Sequence, residues 1–275
     1  MPYQLRQVDV FTDTPYLGNP VAVVLGADGL STEQMQLFAR WTNLSETTFV
    51  LAPRAAGADY LVRIFTPASE LPFAGHPTLG TCHAWLDAGG RAADPDAVVQ
   101  ECAAGLVTVR RTDTGLAFAA PPLVRSGPVE ESVAERVARA LNMARSDIVD
   151  IAWADNGPGW VAVLLDSAEA VLKLRAGAVD TDIGVVGFYP DGSPEALEVR
   201  AFSPKITSVE DPVTGSLNAS LGQWLLGSGR VTAPYVASQG TAMGRRGRVH
   251  VSRDADGQVW VGGGTITCVS GTVAL

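Results

Sequence analysis

Three stretches of the chain are too polar for their surroundings and carry residue types able to move a proton. The first, Asn43-Leu-Ser-Glu-Thr-Thr-Phe49, sets the carboxylate of Glu46 between a helix end and a strand expected over 47–51. Such a carboxylate is a general base if it faces a ligand and a solvated charge if it does not. The second is Glu70-Leu-Pro-Phe-Ala-Gly-His76-Pro-Thr78, where one of only three histidines opens an apolar helix. A glycine precedes it, and the proline that follows is expected at the first helical position. The third is Ser208-Val-Glu-Asp211-Pro-Val-Thr-Gly-Ser216. An aspartate before a proline is a common helix cap, so a structural role for Asp211 stands beside a chemical one.

The elements that must position these residues can be read from the apolar pattern. Helices are expected over 78–88 and 214–226, and both are apolar or small on nearly every face. A helix without a solvated stripe is buried inside something. Their free N–H groups would attract a carboxylate, or the enolate-like charge left when a proton is taken from beside a carbonyl. The two neighbourhoods also repeat. Arg63-Ile-Phe-Thr-Pro67 matches Arg200-Ala-Phe-Ser-Pro204, an offset of 200 − 63 = 137. His76-Pro-Thr-Leu-Gly-Thr81 matches Asp211-Pro-Val-Thr-Gly-Ser216, an offset of 211 − 76 = 135. A repeat of half the chain implies two lobes of one fold with a cleft between them. The Pro-rich segment 120–128 is the expected linker, giving lobes 1–124 and 125–275.

Elsewhere the dominant period is two, in short β-branched runs bounded by Gly, Pro or Asp. Ser31-Thr-Glu-Gln34 reads as a capping box, followed at helical spacing by Met35, Phe38 and Trp41. Further helices are expected over 130–143 and 168–175. Many strands around a few buried helices make an α+β architecture.

Composition narrows the partners. The 275 residues are 47% hydrophobic and 18% charged, with a net charge of −9. That balance is wrong for a phosphate-binding surface, so no nucleic acid is expected. No apolar run is long enough to span a bilayer, and the N-terminus has no secretory pattern. Three widely spaced cysteines suit a reducing cytoplasm better than a disulfide framework. His76, His83 and His250 have no metal-ligand spacing, and Gly262-Gly-Gly264 does not open a helix as a dinucleotide fingerprint must. Ser45 has no neighbouring histidine or nucleophile-elbow motif. Arg245, Arg246 and Arg248 form a small basic cluster, read as a solvated loop with anion contact as the alternative.

The motifs NLSET, FTPxxELPFAGHPT and EDPVTGS, in this order, resemble the PhzF family of phenazine-biosynthesis isomerase-like proteins. Val8-Asp-Val-Phe-Thr12, Gly18-Asn-Pro-Val-Ala-Val23, Gln239-Gly240, Gly244-Arg-Arg-Gly247 and the closing Gly262-Gly-Gly264 match as well, so the resemblance covers essentially the whole chain. It implies a diaminopimelate epimerase-like fold of two pseudo-symmetric lobes, each a β-sheet rolled around a central helix. It also implies a cytoplasmic homodimer working without metal or organic cofactor on a small, carboxylate-bearing substrate. By resemblance Glu46 shuttles the proton, as in trans-2,3-dihydro-3-hydroxyanthranilate isomerase. His76 and Asp211 then assist it, with Ser45, Gly75, Gly215 and Ser216 at the substrate.

The two opposed cysteines of the wider epimerase superfamily are absent, since the corresponding loops read Phe73-Ala-Gly-His76 and Glu210-Asp-Pro212. Cys82 falls inside an apolar helix and reads as a core residue. Two other readings remain open at the level of sequence: a catalytically idle binding or interaction protein, and an epimerase of an amino-acid-like substrate using Glu46 and a second acid.

Overall fold

Runs of Val, Ile and Thr interrupted by Gly, Pro and Asp favour short strands over helices, and strands dominate this chain. The computed structural model describes residues 2–204 and 210–275, so Ser208 and Val209 of the third polar stretch lie outside the described residues. Two compact units emerge, Met1–Ala119 with Gly262–Leu275, and Ala120–Val261. The first runs β1 (Pro2–Val10), β2 (Asn19–Leu25), α1 (Thr32–Thr42), β3 (Glu46–Leu51), β4 (Tyr60–Phe65), β5 (Glu70–Leu71), α2 (Gly75–Asp87), β6 (Ala97–Cys102), β7 (Gly105–Thr112) and β8 (Gly115–Ala119). The second runs β9 (Arg125–Pro128), α3 (Glu131–Ala140), β10 (Asp150–Asp155), β11 (Val161–Leu164), α4 (Ala168–Lys173), β12 (Ile183–Phe188), β13 (Leu197–Phe202), β14 (Glu210–Asp211), α5 (Gly215–Gly227), β15 (Tyr235–Gln239) and β16 (Gly247–Arg253). Strands β17 (Val259–Gly263) and β18 (Thr265–Ala274) close the chain. The fold is α+β.

The units share one connectivity. In the first, β1 and β2 are antiparallel, β2 and β3 are parallel across α1, and β3 and β4 are antiparallel. Strand β4 then pairs with the two-residue β5 and, in parallel, with β6. In the second, β10–β11, β11–β12 across α4, β12–β13, β13–β14 and β13–β15 repeat those orientations in the same order. Strand β18 lies antiparallel along β1 from Pro2↔Ala274 to Val10↔Thr265. The sequence reading assigned all of 125–275 to the second lobe, whereas 262–275 belongs to the first unit. With β2 on one side and β18 on the other, β1 has no open edge to template aggregation.

The repeat extends to side chains. Arg63 on β4 grips Glu70 of β5 through two hydrogen bonds of 2.7 and 2.6 Å, and its guanidinium lies over Phe65. Arg200 on β13 grips Glu210 of β14 at 2.8 and 2.7 Å, and lies over Phe202. Each fork fixes a short strand that leads into a central helix.

Those helices, α2 and α5, have 13 residues each and are buried along most of their length. Helix α2 packs on β1, β2 and β3, and Gly80 is what allows the approach. A Cβ there would stand 2.3 Å from Val21 Cγ1 and 3.0 Å from Val10 Cγ2. The helix begins at Gly75, three residues before the expected start, so Pro77 is its third residue, not its first. The missing N–H costs nothing there, because the whole first turn lacks intrahelical acceptors.

Counted from the helix starts, His76 and Ser216 take the same place, and Asp211 lies four residues ahead of α5 on β14. The sequence match of His76 with Asp211 is therefore not a structural equivalence. The β13–β14 connection is three residues longer than β4–β5, which moves the offset from 137 to 215 − 75 = 140.

Helix α1 carries the expected capping box, Ser31 with Gln34. Met35, Phe38 and Ala39 face the core with Phe49 and Phe65. Trp41, expected on that apolar face, is 79% exposed and instead stacks on Phe38 at 6.0 Å. Among the described residues no helix is long and apolar enough to cross a membrane.

Candidate active site

In the first unit the NLSET segment turns a helix into a strand. Helix α1 ends at Asn43, which adopts the left-handed conformation and caps it through a backbone bond to Ala39. The chain reverses through half-buried Ser45, and Glu46 opens β3 opposite Val21 of β2. Two hydroxyl pairs hold this strand: Thr42 with Thr47 at 2.8 Å, and Thr81 of α2 donating to Thr48 at 2.8 Å. Glu46 is thereby held beside the start of α2. Its Oε2 lies 3.5 Å from His76 Nε2, with both side chains largely buried at 14% and 5% exposure. Gly75, also buried, is the first residue of α2.

Burial pushes the His76 imidazole down to about 3, and a hydrogen bond to the Pro20 backbone only partly opposes this. His76 is neutral at ordinary pH, so its contact with Glu46 is not an ion pair. A neutral imidazole has one donor and one acceptor nitrogen. Depending on the tautomer, Nε2 can give a hydrogen bond to a carboxylate or take one from a protonated carboxyl. It can therefore accommodate Glu46 before and after proton transfer. The other ring nitrogen, Nδ1, lies 3.4 Å from Asn19 Nδ2. Asn19 is fully buried. The sequence offers it within the GNP triplet and at the end of a loop, 16–19, expected to select the substrate, but 57 residues from His76 and with no sign that the two meet.

In the second unit Asp211 is buried on β14, paired with Ala201 of β13. Its Oδ2 accepts the Thr214 hydroxyl at 2.6 Å. Gly215 opens α5, and Ser216 follows it. Trp160 Nε1 donates to Ser216 Oγ at 3.2 Å, and Asn156 Nδ2 donates to its carbonyl at 3.0 Å. Gln239 of β15, seen in sequence only as part of a Gln-Gly pair, is fully buried against the start of α5, where its Oε1 accepts the Thr214 backbone N–H.

The remaining candidates fall away from the chemistry. His83 sits between two threonine hydroxyls, Thr265 at Nδ1 and Thr267 at Nε2, each at 3.0 Å. Arg248 of the basic cluster is paired with Glu195 at 2.6 Å. Cys82 is buried in α2, and burial pushes its thiol up to about 12. Among the described residues no group of three His, Cys, Asp or Glu side chains is placed to hold a metal ion.

Comparison with known proteins defines the class. The chain matches the profile of the phenazine biosynthesis-like (PhzC-PhzF) proteins over residues 8–271, and it belongs to that family. It is 37% identical to antisense-enhancing sequence 1 of Schizosaccharomyces pombe, over 98% of each chain. It is 34% identical to trans-2,3-dihydro-3-hydroxyanthranilate isomerase of Pseudomonas fluorescens, again over 98% of each. A PhzF-family crystal structure from Bacillus anthracis superposes with a TM-score of 0.84 over all of both chains, at 22% identity. That likeness, with the one to proline racemase-like structures, shows the fold to be diaminopimelate epimerase-like. Within the family, this chain is an isomerase.

Proposed function

We propose that this isomerase moves a proton between two carbons of a small, carboxylate-bearing molecule of the dihydro-hydroxyanthranilate class, with no metal or organic cofactor. The observation that carries the reading is the buried Glu46–His76 pair, with a neutral imidazole 3.5 Å from the carboxylate. Glu46 takes a proton from a carbon beside an activating group and becomes a carboxylic acid, leaving an enolate-like charge on the substrate. The carboxylic acid exchanges its proton with solvent between the two steps and then protonates a second carbon, so one proton is taken, one is given and the charge balances. With its proton on Nε2, His76 can donate to the Glu46 carboxylate and, once Glu46 is protonated, to the carbonyl oxygen of the acid, so the imidazole keeps one tautomer throughout. Asp211 serves the same reaction through its buried carboxyl, and Ser45, Gly75, Gly215 and Ser216 meet the substrate. The relatives named as isomerases of this substrate, at about one-third identity over nearly the full length, support the choice of substrate class. The three free thiols and the family resemblance support a cytoplasmic homodimer.

The test is turnover of trans-2,3-dihydro-3-hydroxyanthranilate followed by proton NMR, with and without excess chelator. Rearrangement at equal rates in both is expected. Failure to convert this compound would overturn the substrate class, and loss of activity in chelator would overturn the metal-free mechanism. Inversion at one carbon without movement of the double bonds would make the protein an epimerase instead.

A further inference from the structure

The hydrogen bonds around Asp211 run in one direction, and this is not evident from the motif that contains it. Gln239 makes four of them. Its Oε1 accepts the Thr214 backbone N–H at 3.0 Å and Asn218 Nδ2 at 2.8 Å. Its Nε2 donates to the Asp211 carbonyl at 3.1 Å and to Thr214 Oγ1 at 3.0 Å. Turning the amide over would set its NH₂ group against the Thr214 N–H and an Asn218 amino group that already donates to the Thr214 carbonyl at 2.9 Å. That orientation is excluded, because it faces donors with donors. With Gln239 Nε2–H occupying one lone pair of Thr214 Oγ1, the Thr214 proton is left to point at Asp211 Oδ2, 2.6 Å away. A hydroxyl donating at that distance to a carboxylate is a charge-assisted bond.

We propose that Thr214, oriented by Gln239, is a positioning residue for the reaction: it holds Asp211 Oδ2 as an acceptor. This inference rests on the reading that Asp211 serves the reaction. The first unit has no counterpart, since the place equivalent to Thr214, just ahead of α2, is held by Ala74. The device therefore belongs to Asp211 and is not a general feature of the repeated fold.

The experiment compares Thr214→Val, Thr214→Ser and Asp211→Asn, using kcat, KM and the pH dependence of kcat/KM on trans-2,3-dihydro-3-hydroxyanthranilate. Thr214→Val keeps the shape and removes the donor. It is expected to lower kcat by about tenfold with less effect on KM, and to move the acid limb of the profile up by about one pH unit, the scale of one charge-assisted bond. Thr214→Ser, which keeps the hydroxyl, is expected to restore both. Should Thr214→Val not fold, Thr214→Ala removes the same hydroxyl without a new methyl contact. An unchanged acid limb in the variant without the hydroxyl, alongside an inactive Asp211→Asn, would overturn the positioning role and leave the role of Asp211 standing. A fully active Asp211→Asn would instead overturn the reading on which the inference rests.

Discussion

Glu46 and Cys82 make opposite demands on experiment. Glu46→Gln keeps the shape of the side chain and its contact with His76 but cannot hold the transferred proton. Its kcat is expected to fall at least ~10²-fold while KM changes little, the lower end of general-base contributions. Steady-state kinetics check this, and wild-type turnover would remove Glu46 from the chemistry. Cys82 and Cys102 are buried, and the Cys82 thiol stays protonated with its pKa at about 12. Treatment with iodoacetamide is therefore expected to leave activity intact, and inactivation with an unchanged circular dichroism spectrum would contradict that. The motifs around Glu46, His76 and Asp211 were legible because each is a short polar interruption in an apolar context. Asn19 and Gln239 were not, because they reach His76 and Thr214 from 57 and 25 residues away, and local pattern holds no record of such meetings.

At the scale of elements, the close approach of α2 to its sheet turns on Gly80. A methyl group there would stand 2.3 Å from Val21 Cγ1, so the valine or the helix must shift. Gly80→Ala is expected to destabilise the fold by about 1–3 kcal/mol, the usual cost of overpacking a core. Thermal melting checks this, and an unchanged Tm would show that Val21 yields freely. Element types could be read from the sequence with fair success, since periodicity of two and two all-apolar helices are strong patterns. Two details could not. The start of α2 was misplaced because Pro77 suits any position of a first turn, and the expected equivalence of His76 and Asp211 failed because the longer β13–β14 connection changes the register. Trp41 sits at helical spacing from Phe38 yet lies outside the core, since spacing alone does not say where the apolar stripe ends.

For the whole molecule, the three histidines set an acid limit. Burial lowers the pKa of His76 to about 3 and also lowers those of His83 and His250. Each binds a proton less readily in the folded chain than in the unfolded one, where it does so near pH 6.5, so this contribution to stability is full above pH 6.5 and declines as pH falls toward the folded values. Glu198, whose pKa is raised by burial, acts with the opposite sign. For His76 alone the loss at pH 4 is about 3 kcal/mol. Urea unfolding of the wild type and His76→Asn at pH 7 and pH 4 isolates it, with the smaller decline expected in the variant; equal declines would contradict the neutral assignment. The two-unit division was partly legible, because the Pro-rich segment at 120–128 marks a break. The return of β18 to β1 was not, because strand partners far apart in sequence leave no local sign. The central claim is that Glu46 carries the proton, and solvent deuterium tests it most directly. Product formed from trans-2,3-dihydro-3-hydroxyanthranilate in D₂O is expected to carry deuterium at the newly protonated carbon with the wild type, and Glu46→Gln is expected to form no labelled product. Labelling by Glu46→Gln at the wild-type rate would contradict the claim.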